Sequence, residues 1–406
     1  MRWIVALSLT ALCGTTLAAQ QPSPAAAPLS LDQALAAALA NNPAIAAARL
    51  HRPVDEANVG VARERPNPDL TFDGTRETPR EAVGLSVPIE LGGKRGARTA
   101  SAQAAVATGE ARTEQTINGV LDEVRRAYLD FAGATERLRI SQEVAALFVR
   151  ARDAAHTRFT AGDAPRRDDV AAQADALVAQ TDVREAQGEV TATQATLNVL
   201  LGRAADAPLA VVLPMDASSI PALEAVLARL DQANTDLRVL DRQIAEQEAR
   251  IRVAKSMQTP DLTAGGGISF DSPPDFNVGW RVNFGITLPL FTTHRAGVVV
   301  EQSELTRLRA ERAATAAEIR GAIASDLARA AAAAERAQTY QRDILPLSQQ
   351  DEAFAQDSYQ SGQTGLDALI LALQHARDRR LAALQATLDL QSALADLERA
   401  INGPIR

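Results

Sequence analysis

The sequence predicts a mainly α-helical chain with membrane β-strands, built as a helix–strand–strand–helix–helix unit that occurs twice. Three observations predict it. Long proline-free stretches repeat apolar residues at helical spacing, short runs alternate strictly between apolar and polar, and an ordered set of self-matches recurs about 200 positions apart.

Composition sets the frame. Hydrophobic residues make up 46% of the 406-residue chain, yet aromatics supply only 3%. Most of the apolar content is Ala and Leu, which suits long, closely packed helices better than a compact aromatic core. Lysine occurs only at Lys94 and Lys255. The net charge of −8 argues against a nucleic-acid partner, which calls for a basic face.

Residues 1–19 read as a secretory signal. Arg2 precedes the apolar run Trp3 to Leu12, and small residues lead to Ala18 and Ala19. The run is too short to cross a bilayer as a helix. Residues 20–30, rich in Pro and Ala, form a flexible mature start. Cys13 is the only cysteine and lies within the signal, so the mature chain is expected to have no disulfide and no thiol chemistry.

The duplication rests on ordered matches. Pro68-Asp69-Leu70-Thr71 recurs as Pro260-Asp261-Leu262-Thr263, and Gly84-Leu85-Ser86-Val87-Pro88-Ile89 as Gly285-Ile286-Thr287-Leu288-Pro289-Leu290. Arg158-Phe159-Thr160-Ala161-Gly162 matches Ser358-Tyr359-Gln360-Ser361-Gly362, and Leu201-Gly202 matches Asn402-Gly403. The repeats are residues 31–213 and 222–406, joined by a connector at 214–221 that ends at Pro221.

Each repeat opens with a helix, Leu31 to Arg63 and Ala222 to Met257. Asn41, Asn42 and Pro43 mark a break in the first. Two strands follow, at 69–75 and 83–91, then at 262–270 and 278–290. In the last of these Val278, Trp280, Val282, Phe284, Ile286 and Leu288 alternate with Gly279, Arg281, Asn283, Gly285 and Thr287. That run exceeds the usual soluble strand of about 5–6 residues and approaches the membrane-strand length of about 9–11. The apolar set is expected to face lipid, and Arg281 and Asn283 a watery lumen. Four strands cannot close a barrel, and open edges are not tolerated in lipid, so several chains must share one barrel. Eight strands would fill with side chains, so a conducting pore needs three chains or more.

Long helices complete each repeat. Lys94 to Phe159 pairs with Asp168 to Leu201, and Gly297 to Tyr359 with Asp367 to Ile401. Leu390, Leu394, Leu397 and Ile401 step by 4, 3 and 4 along a packing seam. Pro346 inside the helical pattern predicts a kink or a split.

Catalytic and metal-site signatures are absent. Gly92-Gly93-Lys94 lacks the rest of a phosphate loop, and His51, His156, His294 and His375 fit no metal-ligand spacing. Acidic residues such as Glu301 and Glu304 lie near Arg307 on solvated helix faces. The expectation is no enzyme, no cofactor and no bound metal.

The order of elements resembles the TolC-type outer-membrane factors, the outer membrane efflux proteins. The resemblance is carried by Leu31-Asp32-Gln33-Ala34-Leu35 with Asn42-Pro43, by Pro66-Asn67-Pro68-Asp69-Leu70, by the turns at Phe159 to Gly162 and Tyr359 to Gly362, and by Ile344-Leu345-Pro346. Val87-Pro88-Ile89-Glu90-Leu91-Gly92-Gly93-Lys94-Arg95 is similar to the heavy-metal (cobalt–zinc–cadmium) branch. The resemblance implies a homotrimer with a 12-stranded barrel in the outer membrane of a Gram-negative bacterium and a long periplasmic α-barrel. It implies an exit channel served by a periplasmic adaptor and an inner-membrane proton-driven pump. Phe159, Gly162, Tyr359 and Gly362 would form the periplasmic tips that meet the adaptor, and Asp367 would ring the aperture. Ile370 and Leu371 stand where a second acidic residue can occur. Channels of the same fold for drugs or secreted proteins, and a soluble periplasmic coiled-coil adaptor, are the competing readings.

Overall fold

The computed structural model describes residues 28–76, 80–214, 220–270 and 278–402. The expected secretory signal with Cys13, most of the expected mature start and connector, and residues Thr78, Pro79, Asp271, Pro273 and Pro274 lie outside them.

The first half runs α1 (Leu31–Asn41), α2 (Pro43–Arg49), α3 (His51–Arg63), β1 (Asp69–Gly74), β2 (Glu81–Ile89), α4 (Lys94–Ala161) and α5 (Arg166–Leu200). The second runs α6 (Leu223–Ala233), α7 (Thr235–Ser256), β3 (Leu262–Phe270), β4 (Gly279–Ile286), α8 (Arg295–Thr339), a π-turn at Tyr340–Ile344, α9 (Leu345–Gln360) and α10 (Leu366–Ala400). At 1.5 Å per residue, the 68 residues of α4 span about 100 Å.

Both opening helices break at a buried asparagine. Asn42 accepts from the backbone N–H groups of Ala44 and Ile45, and its Nδ2 donates to the Leu200 carbonyl at 2.8 Å. Asn234 accepts from Asp236 and Leu237, and its Nδ2 donates to the Ala400 carbonyl at 2.9 Å. Each side chain caps one helix and holds the last turn of the long returning helix. The first break agrees with the Asn-Pro signal. The second splits the helix expected over Ala222 to Met257, because the same cap forms without a proline.

The cores repeat with it. Ala34, Ala38 and Ile45 are buried against Val120, Val124, Ala127, Leu197 and Leu201. Val226, Leu230 and Leu237 hold the same spacing, packed against Ile323, Leu327, Ala330, Leu397 and Ile401. Gly202 (φ 69°) and Asn402 (φ 46°) both end their helices in the left-handed region. Gly202 therefore corresponds to Asn402, one position off the match of Gly202 with Gly403.

Pro346 does perturb its helix, one turn upstream. A proline in a helix clashes with the carbonyl four residues back, here Arg342. The π-turn over Tyr340–Ile344 widens the backbone at that point, and α9 starts with Pro346 in its first turn.

The four strands form one antiparallel sheet in the order β1-β2-β3-β4. The ladder of β4 ends where Leu262 pairs with Ile286, short of the alternation to Leu290. Its partner β3 begins at Leu262, so Leu288 and Leu290 continue the pattern with no strand to pair with. Asp261 sits at this corner. Its carboxylate takes the Lys94 ammonium at 2.7 Å and the Leu91 N–H at 3.2 Å, while its carbonyl takes the Thr287 N–H at 3.2 Å. Arg98 clasps Glu90 alongside and reaches the Glu64 carbonyl. These ion pairs fasten the foot of the sheet to the start of α4.

Candidate functional site

The pleat sorts the sheet into two chemically distinct faces. One face carries Leu70, Phe72, Val83, Leu85, Val87, Ile268, Trp280, Val282, Phe284 and Ile286; the other carries Asp69, Thr71, Asp73, Ala82, Gly84, Ser86, Gly265, Gly267, Arg281 and Asn283. In a single chain the apolar face is bare: Trp280 is 81% exposed, Phe284 73% and Phe72 73%. Val278, Val282, Ile286 and Leu288 are also exposed. Val278 and Leu288 lie just beyond the ends of β4.

Curvature follows from one contact. Arg281 on β4 meets Asp73 on β1 at 2.8 Å (Nη2 to Oδ2). These are the two edge strands, three spacings apart, or about 14 Å in a flat sheet. Asp73 also lies two residues along β1 from Thr71, which shares a transverse row with Gly84, Gly267 and Arg281. The two side chains meet only because the sheet curls toward its polar face. The polar face is thus concave and the apolar face convex. The outer edges of β1 and β4 have no strand partner in the sheet.

The hairpin turns at the far end are built alike. Gly162 N–H bonds the Phe159 carbonyl and Asp163 N–H the Arg158 carbonyl; Gly362 N–H bonds Tyr359 and Gln363 N–H bonds Ser358. Both glycines are left-handed, at φ 86° and 74°, which an ordinary side chain would resist. Their aromatic partners differ. Phe159 is half-buried, whereas Tyr359 is only 2% exposed and packs among Ala151, Ala155, Leu369 and Leu373. Arg158, at the end of α4, lays its guanidinium 4.9 Å from the Tyr359 ring centre and donates to the Tyr359 carbonyl at 3.1 Å. Burial pushes the Tyr359 phenol above its ordinary pKa, against the opposing pull of Arg158. The Arg158–Tyr359 link ties the two tips of one chain together. Sequence matching aligned Arg158 with Ser358 and gave no hint of it.

Asp367 is exposed in the first turn of α10. In the equivalent turn of α5, Asp169 is buried and holds His156 at 3.1 Å and Gln173 at 3.0 Å. Among the described residues, no group of three or more His, Cys, Asp or Glu could hold a metal ion. No described helix is long and apolar enough to cross a membrane.

Residues 34–203, which run from α1 to just past α5, match the family model described as outer membrane efflux protein. That stretch of the chain is similar to the family. The cobalt-zinc-cadmium resistance protein CzcC of Cupriavidus metallidurans is 26% identical over 382 residues, covering 92% of this chain and 91% of its own. The fold matches the solved structure of CusC at a TM-score of 0.77 with 17% identity, covering 92% of each chain. It matches the outer membrane protein VceC of Vibrio cholerae at 0.76 with 15% identity, covering 93% of this chain and 97% of that one. It matches the outer membrane channel MtrE of Neisseria gonorrhoeae at 0.74 with 20% identity, covering 93% and 89%. The efflux-protein fold therefore extends through both halves, beyond the segment that matches the family model.

Proposed function

We propose that the chain is one protomer of an outer-membrane exit channel that passes heavy-metal cations. The carrying observation is the curled four-stranded sheet, apolar on its convex face, polar on its concave face and unpaired at both edges. An unpaired edge in lipid leaves backbone groups unsatisfied at several kcal/mol each. Edge-to-edge closure with further copies removes that cost. Three copies give twelve strands and a lumen, and the long helices continue as a periplasmic duct. Heavy-metal cargo is supported by the likeness to CzcC and by the sequence from Val87 to Arg95.

The chain performs no chemistry in this reading. Cargo arrives from an inner-membrane proton-driven pump through a periplasmic adaptor. The adaptor meets the turns around Phe159, Gly162, Tyr359 and Gly362, and differential contacts there shift the tips from closed to open. Asp367, brought together in three copies near the axis, raises the negative potential of the aperture and favours cations. Residues 1–19 direct export.

Two measurements test this. The purified protein added to a planar bilayer is expected to give discrete conductance steps, and the native protein to fractionate with the outer membrane as a trimer. A freely soluble periplasmic monomer without conductance would refute the channel. Deletion is expected to sensitise cells to cobalt, zinc or cadmium salts; sensitisation to organic drugs alone would replace the cargo and keep the channel.

A further inference from the structure

The Arg281–Asp73 pair crosses two strands to join the edges of the sheet, and the sequence makes room for it. In the row that holds Arg281, β2 and β3 contribute Gly84 and Gly267. In the row that holds Asp73 they contribute Ala82 and Ser269. A Cβ added at Gly84 would stand 2.8 Å from the Thr71 hydroxyl and 3.8 Å from the Arg281 guanidinium, so both side chains use the room that Gly84 leaves on β2. On β2 and β3 no side chain in these two rows is larger than Ser269. The concave face has one further carboxylate on these strands, Asp69, at the start of β1.

We infer that Arg281 is a specificity-determining residue of the exit duct: it occupies the Asp73 carboxylate and so keeps the lumen wall from holding divalent cations on their way out. The inference rests on the channel reading, which places the concave face in the lumen. Conduction needs sites that a cation can leave as readily as it enters. A free carboxylate on this wall, repeated in every protomer, would be a hard oxygen ligand facing the cargo. A guanidinium donates and cannot ligate a metal, so its contact with Oδ2 of Asp73 offsets the carboxylate's charge and repels a cation. Asp73 in turn cancels the positive charge of Arg281, which alone would bar cation entry.

The test is block of single channels by zinc chloride or cobalt chloride added from the extracellular side. Wild type, Arg281→Ala, Asp73→Asn and the double variant are compared. Asp69 remains in all four, so differences report the pair. Arg281→Ala is expected to be blocked at a concentration about tenfold or more below wild type, and the double variant to return to wild-type block. Asp73→Asn is expected to shift the pore toward anions. Arg281→Ala channels that open normally and show wild-type block would overturn the inference. So would failure of Arg281→Ala to form channels while Arg281→Lys does form them, because the pair would then be a strut for sheet closure. Absence of conductance in the wild type would instead overturn the channel reading.

Discussion

Asn42 offers a direct measure of how the two ends of each repeat are held together. Its carboxamide caps α2 with two acceptor bonds and donates to the Leu200 carbonyl, all with the residue 5% exposed. Asn42→Ala removes the cap, worth about 1 kcal/mol. It also leaves the Leu200 carbonyl without this donor, at a cost of about 1–3 kcal/mol. The sum is about 2–4 kcal/mol. Asn42→Asp keeps the cap but turns the donor into a second acceptor facing the carbonyl, which adds repulsion and charge burial to the loss of about 1–3 kcal/mol. Both variants are therefore less stable than wild type. Asn234→Ala should lose as much as Asn42→Ala, through the carbonyl of Ala400. Asn41→Ala is the control, since Asn41 is exposed and an exposed substitution usually stays within about 0.5 kcal/mol. Urea unfolding of the detergent-solubilised protein, followed by circular dichroism at one protomer concentration, reads all five. Asn42→Ala no less stable than Asn41→Ala would refute the reasoning.

Three further outcomes are expected. Val282→Arg on the convex face should block membrane insertion at a cost of about 2–4 kcal/mol, while Asn283→Arg on the concave face is tolerated; equal yields of heat-modifiable trimer from the two would overturn the assigned faces. Asp367→Asn should reduce cation preference and cation block in single-channel recordings with little change in stability; a stability loss of about 0.3–1 kcal/mol with unchanged selectivity would reduce Asp367 to a helix-end acid. The Glu90 carboxyl is held below its ordinary pKa chiefly by the Arg98 hydrogen bond, so its contribution of about 1 kcal/mol is present above the unfolded value near pH 4.3 and is lost as pH falls through the folded one. The stability gap between wild type and Glu90→Gln should therefore be full at neutral pH and close on acidification; a gap that persists in strong acid would refute it.

Much of this architecture is legible in the sequence because it rests on periodic signals. Strict alternation from Val278 onward located β4, and the proline-free stretch from Lys94 located α4. Periodicity carries no information about where a partner ends. The alternation runs to Leu290, yet the ladder stops at Ile286 because β3 starts at Leu262. The Asn-Pro signal exposed the break at Asn42, but Asn234 sits in Ala-Asn-Thr-Asp, where nothing local separates a cap from a polar helix residue. Its role appears only when Ala400, at the far end of the repeat, is beside it. Arg281–Asp73 and Arg158–Tyr359 are of the same kind, contacts between distant strands or hairpins that no single window contains.

The duplication also explains why the two hairpin tips are not interchangeable. The backbone turns at Gly162 and Gly362 share their hydrogen-bonding pattern. The residues after the turns diverged. The α5 helix opens with Arg166, Arg167, Asp168 and Asp169, and α10 opens with Leu366, Asp367 and Ala368. The one acid in the first turn of α10 is exposed, whereas in α5 two arginines precede two acids and one of those acids is spent on His156 and Gln173. A ring drawn from α10 alone is acidic by one carboxylate per chain. A ring drawn from both helices keeps that net charge, since Arg166 and Arg167 balance Asp168 and Asp169, but it also presents two cations per chain to the cargo. A cation-favouring aperture is therefore better served if α10 approaches the axis and α5 stays outside it. The Arg158–Tyr359 link suits that division, since it ties the two hairpins of each chain together through a buried ring and leaves Asp367 exposed.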